Sequence, residues 1–220
     1  AWGTTGLTGG SSTVDHLVIS QLRIAGTTDD VIEIYNPTVA AISLSGYSVQ
    51  YLAANGNFGF RVNLTATNSV PSNGWYLVAG NGYAGSPSRD DSLGTSNLGN
   101  TNGHALLVNK TSTVSSCSDA AIKDKVGYGA SASCPEGGSG NNTAAPGAGL
   151  SVSRKPGGAL GAGQDTDVNS DDFLSPATPA FHNRFDTPAS LPAALGNVGN
   201  SLFVSQSVSG TTLTWGKATA

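Results

Sequence analysis

The chain has 220 residues, a formal net charge of −4 and only 11% charged residues, against roughly 25% in an ordinary soluble domain. Its ten Lys and Arg are scattered singly or in pairs, which argues against the basic stripe of a nucleic-acid binder. No run approaches the ~18 apolar residues of a membrane span. Hydrophobic residues at 38% suffice for a core, and the length fits one large β domain, or one domain with an appendage.

Residues 1–15 carry many Gly, Ser and Thr without periodicity and read as an extended N-terminal arm. Strand signals then follow one another. Leu17–Ile24 is β-rich and ends in a turn at Gly26–Asp30; Val31–Tyr35 alternates and stops at Asn36-Pro37. Ile42–Leu44 leads through Ser45-Gly46 into Tyr47–Leu52, again with period two. Phe58–Leu64, Trp75–Ala79, Ala105–Val108, Ala121–Tyr128 and Leu150–Arg154 are further strands, each short and flanked by turn formers. No stretch shows a 3.6-residue apolar spacing. Many short strands separated by turn signals predict an all-β sandwich or barrel.

Three turn-rich segments interrupt the pattern: Gly80–Asn102, Ser131–Ala148 and Pro156–Asp172. Loops this long are uncommon unless functional or anchored. The strand pattern lapses after Pro176 and Pro179, and 185–199, with Pro188 and Pro192, reads as a linker. In 200–220, Ser201–Val208 and Thr211–Trp215 then form a hairpin about Ser209-Gly210 or a pair of donated strands. A two-stranded hairpin is marginal in water, so this one must pack on something.

The chain lacks Met and opens on Ala1, which fits a mature exported chain cut after a small residue. In such a chain Cys117 and Cys134 are expected as a disulfide rather than a metal site, closing a loop that contributes about 3 kcal/mol. Asn63, Asn109 and Asn141 head sequons and are glycosylation candidates. Low charge and a Ser/Thr/Asn/Gly-rich surface place the protein outside the cell, secreted or on the cell surface.

Catalytic motifs are sparse. Gly80-Asn-Gly-Tyr-Ala-Gly85 matches the dinucleotide fingerprint in letters, yet no amphipathic helix follows to hold a pyrophosphate. His16, His104 and His182 are far apart, and no G-x-S-x-G elbow appears. Glu33, within a strand that should alternate, is expected at the solvent face or hydrogen-bonded to a turn. No enzyme and no cofactor are expected. Asp165, Asp167, Asn169 and Asp171 stand at positions 1, 3, 5 and 7 of a calcium loop, but Ser170 replaces its Gly and Pro176 its Glu. Turn capping by Asp and Asn is the favoured alternative. Of the three tryptophans, Trp75 is expected in the core, while Trp2 and Trp215 in the two extensions need a covering surface.

The runs DDVIEIYNPT (29–38) and ISLSGYSVQY (42–51) resemble the opening strands of the lamin tail domain family. WYLVAG (75–80), HALLVN (104–109), KDKVGYG (123–129), LSVSRK (150–155), DTDVNSDDF (165–173) and SPATPAFHN (175–183) continue the resemblance in order. It implies an immunoglobulin-like β-sandwich over 16–184 of the exported prokaryotic kind, in a family not known for catalysis. SLFVSQSVSGTTLTW (201–215) looks like the first two strands of a fibronectin-III-type domain. The expectation is therefore a non-catalytic structural subunit of an extracellular assembly, a filament held by strand exchange. Trp2, Leu7, Leu202, Val204, Val208, Leu213 and Trp215 would supply the self-association. An accessory binding module of a larger secreted hydrolase and a carbohydrate-binding adhesin, with surface polysaccharide as its partner, are the alternatives.

Overall fold

The computed structural model describes residues 14–189, and the strand residues 202–207 and 210–215 as backbone. The chain divides into two compact units between Ser190 and Leu191. The first is a β-sandwich. One sheet orders its six strands β12-β11-β1-β2-β7-β8: Phe173–Ala177, Ser151–Arg154, Val18–Arg23, Val31–Tyr35, Trp75–Gly80 and Asp91–Gly94. The other orders four as β10-β9-β4-β5: Ile122–Tyr128, Gly103–Val108, Ser48–Ala53 and Phe58–Asn63. Neighbours are antiparallel except β7 and β8, which run parallel. Two-residue strands β3 (Ile42–Ser43) and β6 (Ser69–Val70) pair at the rim. The all-β expectation holds.

The inner faces meet in one core. Ile19, Leu22, Ile32, Ile34, Tyr76 and Val78 come from the larger sheet; Val49, Tyr51, Leu107, Val126 and Tyr128 come from the smaller. Burying each large apolar side chain contributes about 1.5–3 kcal/mol relative to leaving it exposed. The outer faces are covered too. Segment 109–121 crosses the smaller sheet and sets Val114 and Cys117 over Leu52, Leu106 and Val108. Ser48 Oγ donates to Lys110 O (2.6 Å), and the Gln50 amide bonds Ser112 O and Val114 N (2.9 and 3.0 Å). Across the larger sheet, Ala162 and Ala189 lie on Val18, Tyr35 and Trp75, while Phe181 and Tyr83 lie on Val31, Leu77 and Ala79. Strands β2, β7 and β9 are therefore buried on both faces, which is why VIEIY, WYLVAG and GHALLV are so poor in charge.

Three sequence expectations need correction. The segment 80–102, read as turn-rich, contains β8, a strand formed by parallel pairing to β7. Strand β12 is not among the expected strands, and its Pro176 is tolerated because β12 is an edge strand. Residues 185–189 are part of the sandwich rather than a linker, for Ala189 is buried and its N–H bonds Asn73 O at 2.7 Å.

In the second unit, β13 (Leu202–Ser207) and β14 (Gly210–Trp215) form the expected hairpin. Leu202 stands opposite Trp215 and Val204 opposite Leu213. Trp2, Leu7 and Val208 lie outside the described residues. No helix among the described residues is long and apolar enough to cross a membrane.

Candidate functional site

Glu33 is the middle residue of the central strand β2 and points to the outer face of the larger sheet, where period two puts it between Val31 and Tyr35. It is fully buried rather than at the solvent face, because segment 178–183 crosses above it. Its Oε1 accepts from Ser20 Oγ at 2.6 Å and Gln21 Nε2 at 3.3 Å. Its Oε2 accepts from the His182 backbone N–H at 2.5 Å and pairs with His182 Nδ1 at 3.4 Å. The His182 ring stacks on Trp75, centroids 4.1 Å apart, and Gln21 Nε2 also bonds Ala180 O at 2.7 Å. The hydrogen bond and charge of Glu33 hold the His182 pKa above its ordinary value, against the opposing effect of burial.

These groups line a recess of about 200 Å³, walled on the far side by Pro156, Gly157 and Gly161. Gly161 sits at φ +75°, and a Cβ there would collide with the Tyr35 hydroxyl, so the wall requires glycine. The order hydroxyl–carboxylate–imidazole leaves the carboxylate in the middle, whereas acyl transfer needs the imidazole between nucleophile and acid. The arrangement clamps segment 178–183 onto the sheet. Trp75, expected in the core, is buried, but beneath this strap rather than between the sheets.

A second polar cluster lies inside the sandwich. Arg154 is wholly buried and donates from Nη2 to both Asp124 oxygens (2.8 and 2.7 Å), from Nε to Ile19 O (2.8 Å) and from Nη1 to Gln164 O (2.8 Å). Asp165 and Asp172 complete its shell at 3.3 and 3.8 Å. Burial alone would lower the Arg154 pKa, but the charges of Asp124, Asp165 and Glu136 outweigh it and raise it. Oxygens of Asp124, Glu136 and Asp165 lie within 4.8 Å of one another. Burial, then the Asp124 charge, pushes the Glu136 pKa up to about 9.

The calcium string is dispersed among other partners. Asp165 turns to Arg154 and His16, and Asp167 and Asp171 are exposed. Asn169 spends its oxygen on the N–H groups of Gly127 and Glu136 and its Nδ2 on Lys125 O and Glu136 Oε2. Asn169 is thus a brace between distant segments rather than a cap of its own turn. The cysteine expectation is also corrected: Cys117 and Cys134 are free thiols. Their side chains hydrogen-bond each other. Burial and that bond push the Cys134 pKa up to about 11. His104 bridges Ala53 O and the Cys134 N–H, at 3.1 Å each. Asn63 and Asn109 are exposed, while half-buried Asn141 donates to Gly137 O.

Nothing in the sequence pointed to the Glu33–His182 contact, 149 residues apart. The usable signal was a carboxylate in the middle of a strand too apolar to be half-exposed.

The chain matches no family model and no curated protein. It is similar in fold to the crystal structure of a DUF4876 family protein from Bacteroides thetaiotaomicron VPI-5482. The TM-score is 0.52 at 12% identity, over 82% of this chain and 75% of that one.

Proposed function

We propose that the protein is a non-catalytic structural subunit of a secreted or cell-surface assembly, held together by strand exchange between copies through the hairpin β13–β14. The carrying observation is that the hairpin forms a two-stranded sheet of its own, while the sandwich has its outer faces covered by its own segments. A two-stranded sheet is marginal in water, and addition to another sheet supplies the missing main-chain bonds. The lamin-tail-like motifs, the low charge and the polar surface support an extracellular setting. The carboxylate-centred order at Glu33 supports a structural rather than catalytic use of its polar groups.

The test is removal of residues 200–220, with sedimentation analysis of both chains. The full chain is expected to sediment as multiples of 22.0 kDa, and the shortened chain as a folded monomer. Equal assembly by the two would overturn the reading.

A further inference from the structure

The two sheets offer four edge strands, and three are closed. Strand β10 has its outward groups taken: Gly127 N–H by Asn169 Oδ1 (2.7 Å), Lys125 N–H by Glu136 Oε1 (3.0 Å), and Gly127 O by Thr143 N–H (3.0 Å). Strand β12 carries Pro176, which cannot donate to a new partner. Strand β8 has four residues and ends on Gly94 at φ +65°. Natural edges are blunted in such ways, by proline, brevity and covering groups.

Strand β5 is different. It has six residues, FGFRVN, without proline and with one charge, and among the described strands it pairs only with β4. Leu64 N–H bonds Tyr47 O at 3.0 Å. From that pair the antiparallel alternation turns the amides of Phe60 and Val62 toward β4 and those of Arg61 and Asn63 outward. Phe58 is 45% exposed, and Phe60 and Val62 are only partly buried against the core. An added strand would cover all three.

We infer that β5 is the acceptor edge, and that its occupant is a hairpin strand from a second copy of this chain. This rests on the strand-exchange reading above and names its receiving surface. The two sides match in extent: β13 and β14 have six residues each, as β5 does. They match in chemistry too, since LFVSQS and GTTLTW contain no charge and no proline. Addition at β5 would extend the four-stranded sheet, with main-chain bonds supplying the affinity. Because donor and acceptor surfaces differ, the contact is head-to-tail and propagates.

The experiment measures the sedimenting mass of the full chain, of Arg61→Pro, of Phe58→Lys and of the chain lacking 200–220, each checked for folding by its melting curve. Proline removes the outward amide at 61, and a lysine on the exposed end of the edge opposes pairing. Both variants and the shortened chain are expected as folded monomers under conditions where the full chain assembles. If both edge variants assemble like the full chain while the shortened chain does not, the acceptor is elsewhere and strand exchange stands. If the shortened chain assembles too, the strand-exchange reading itself fails. If Arg61→Pro does not fold, Phe58→Lys, on an exposed side chain, decides. A monomeric full chain whose β5 amides resist exchange would mean that the hairpin pairs within its own chain, which overturns the inference.

Discussion

Arg154 on β11 grips Asp124 on β10 through two charge-assisted bonds of 2.8 and 2.7 Å, and the pair ties one sheet of the sandwich to the other. Both side chains are fully buried. Asp124 also accepts the Ile19 N–H at 2.5 Å, so strand β1 joins the same node at its bulge.

Removing one partner of such a pair leaves a buried charge without its counter-charge, at a cost of about 3–5 kcal/mol. Arg154→Met is expected to lower Tm by roughly 6–20 °C, given about 2–4 °C per kcal/mol for a chain of this size. The double variant Arg154→Met/Asp124→Leu should recover part of that loss, because it removes the orphaned carboxylate as well. Thermal melts of both variants beside the wild type check this; a double variant no more stable than Arg154→Met would contradict it.

The clamp at Glu33 makes stability depend on pH. A histidine whose pKa is raised in the folded state binds its proton more tightly there than in the unfolded chain. The stabilisation is complete below the ordinary value of 6.5 and is lost as pH rises through the folded value. His182→Gln should flatten the fall in stability above pH 6.5. Urea midpoints measured from pH 6 to 9 on both chains test it, and parallel curves would count against the clamp.

Glu136 acts in the same direction over a different window. Its carboxyl keeps its proton to about pH 9 when folded, against an ordinary 4.5, so stability falls progressively as pH rises between those values. In Glu136→Gln, which cannot ionise, that slope should disappear, although the amide loses one of the two bonds from Lys125 N–H and Asn169 Nδ2 and starts less stable. Retention of the wild-type slope between pH 5 and 9 would show that Glu136 is already ionised in the fold.

The thiol pair offers a redox-dependent staple. At neutral pH the Cys134 thiol, with its pKa near 11, holds little of the reactive thiolate, so oxidation should be slow without a catalyst. Treatment with diamide is expected to remove two hydrogens from the intact mass and to stabilise by about 3 kcal/mol. Cys134→Ser should abolish both effects. An oxidised chain with an unchanged melting temperature would show that the bridge strains the loops it joins.

Much of the sandwich was legible because period-two alternation and turn residues are local signals. Val31–Tyr35 and Trp75–Gly80 emerge from them almost to the residue. Strand β8 was not legible, since DSLG becomes a strand only by lying beside β7. The site was still less so. Glu33 looks exposable from its own strand, and it is buried only because a strap from 178–183 crosses it. The Asp165–Asp171 string shows the opposite failure: a spacing that suits a metal loop is dispersed by Arg154 and Asn169, whose positions depend on strands far away.

Hydrogen exchange, read by mass spectrometry on full-length protein at low and high concentration, addresses assembly most directly. Amides of 58–63 and of 202–215 are expected to gain protection together as concentration rises. Exchange in both segments that does not change with concentration would contradict strand exchange.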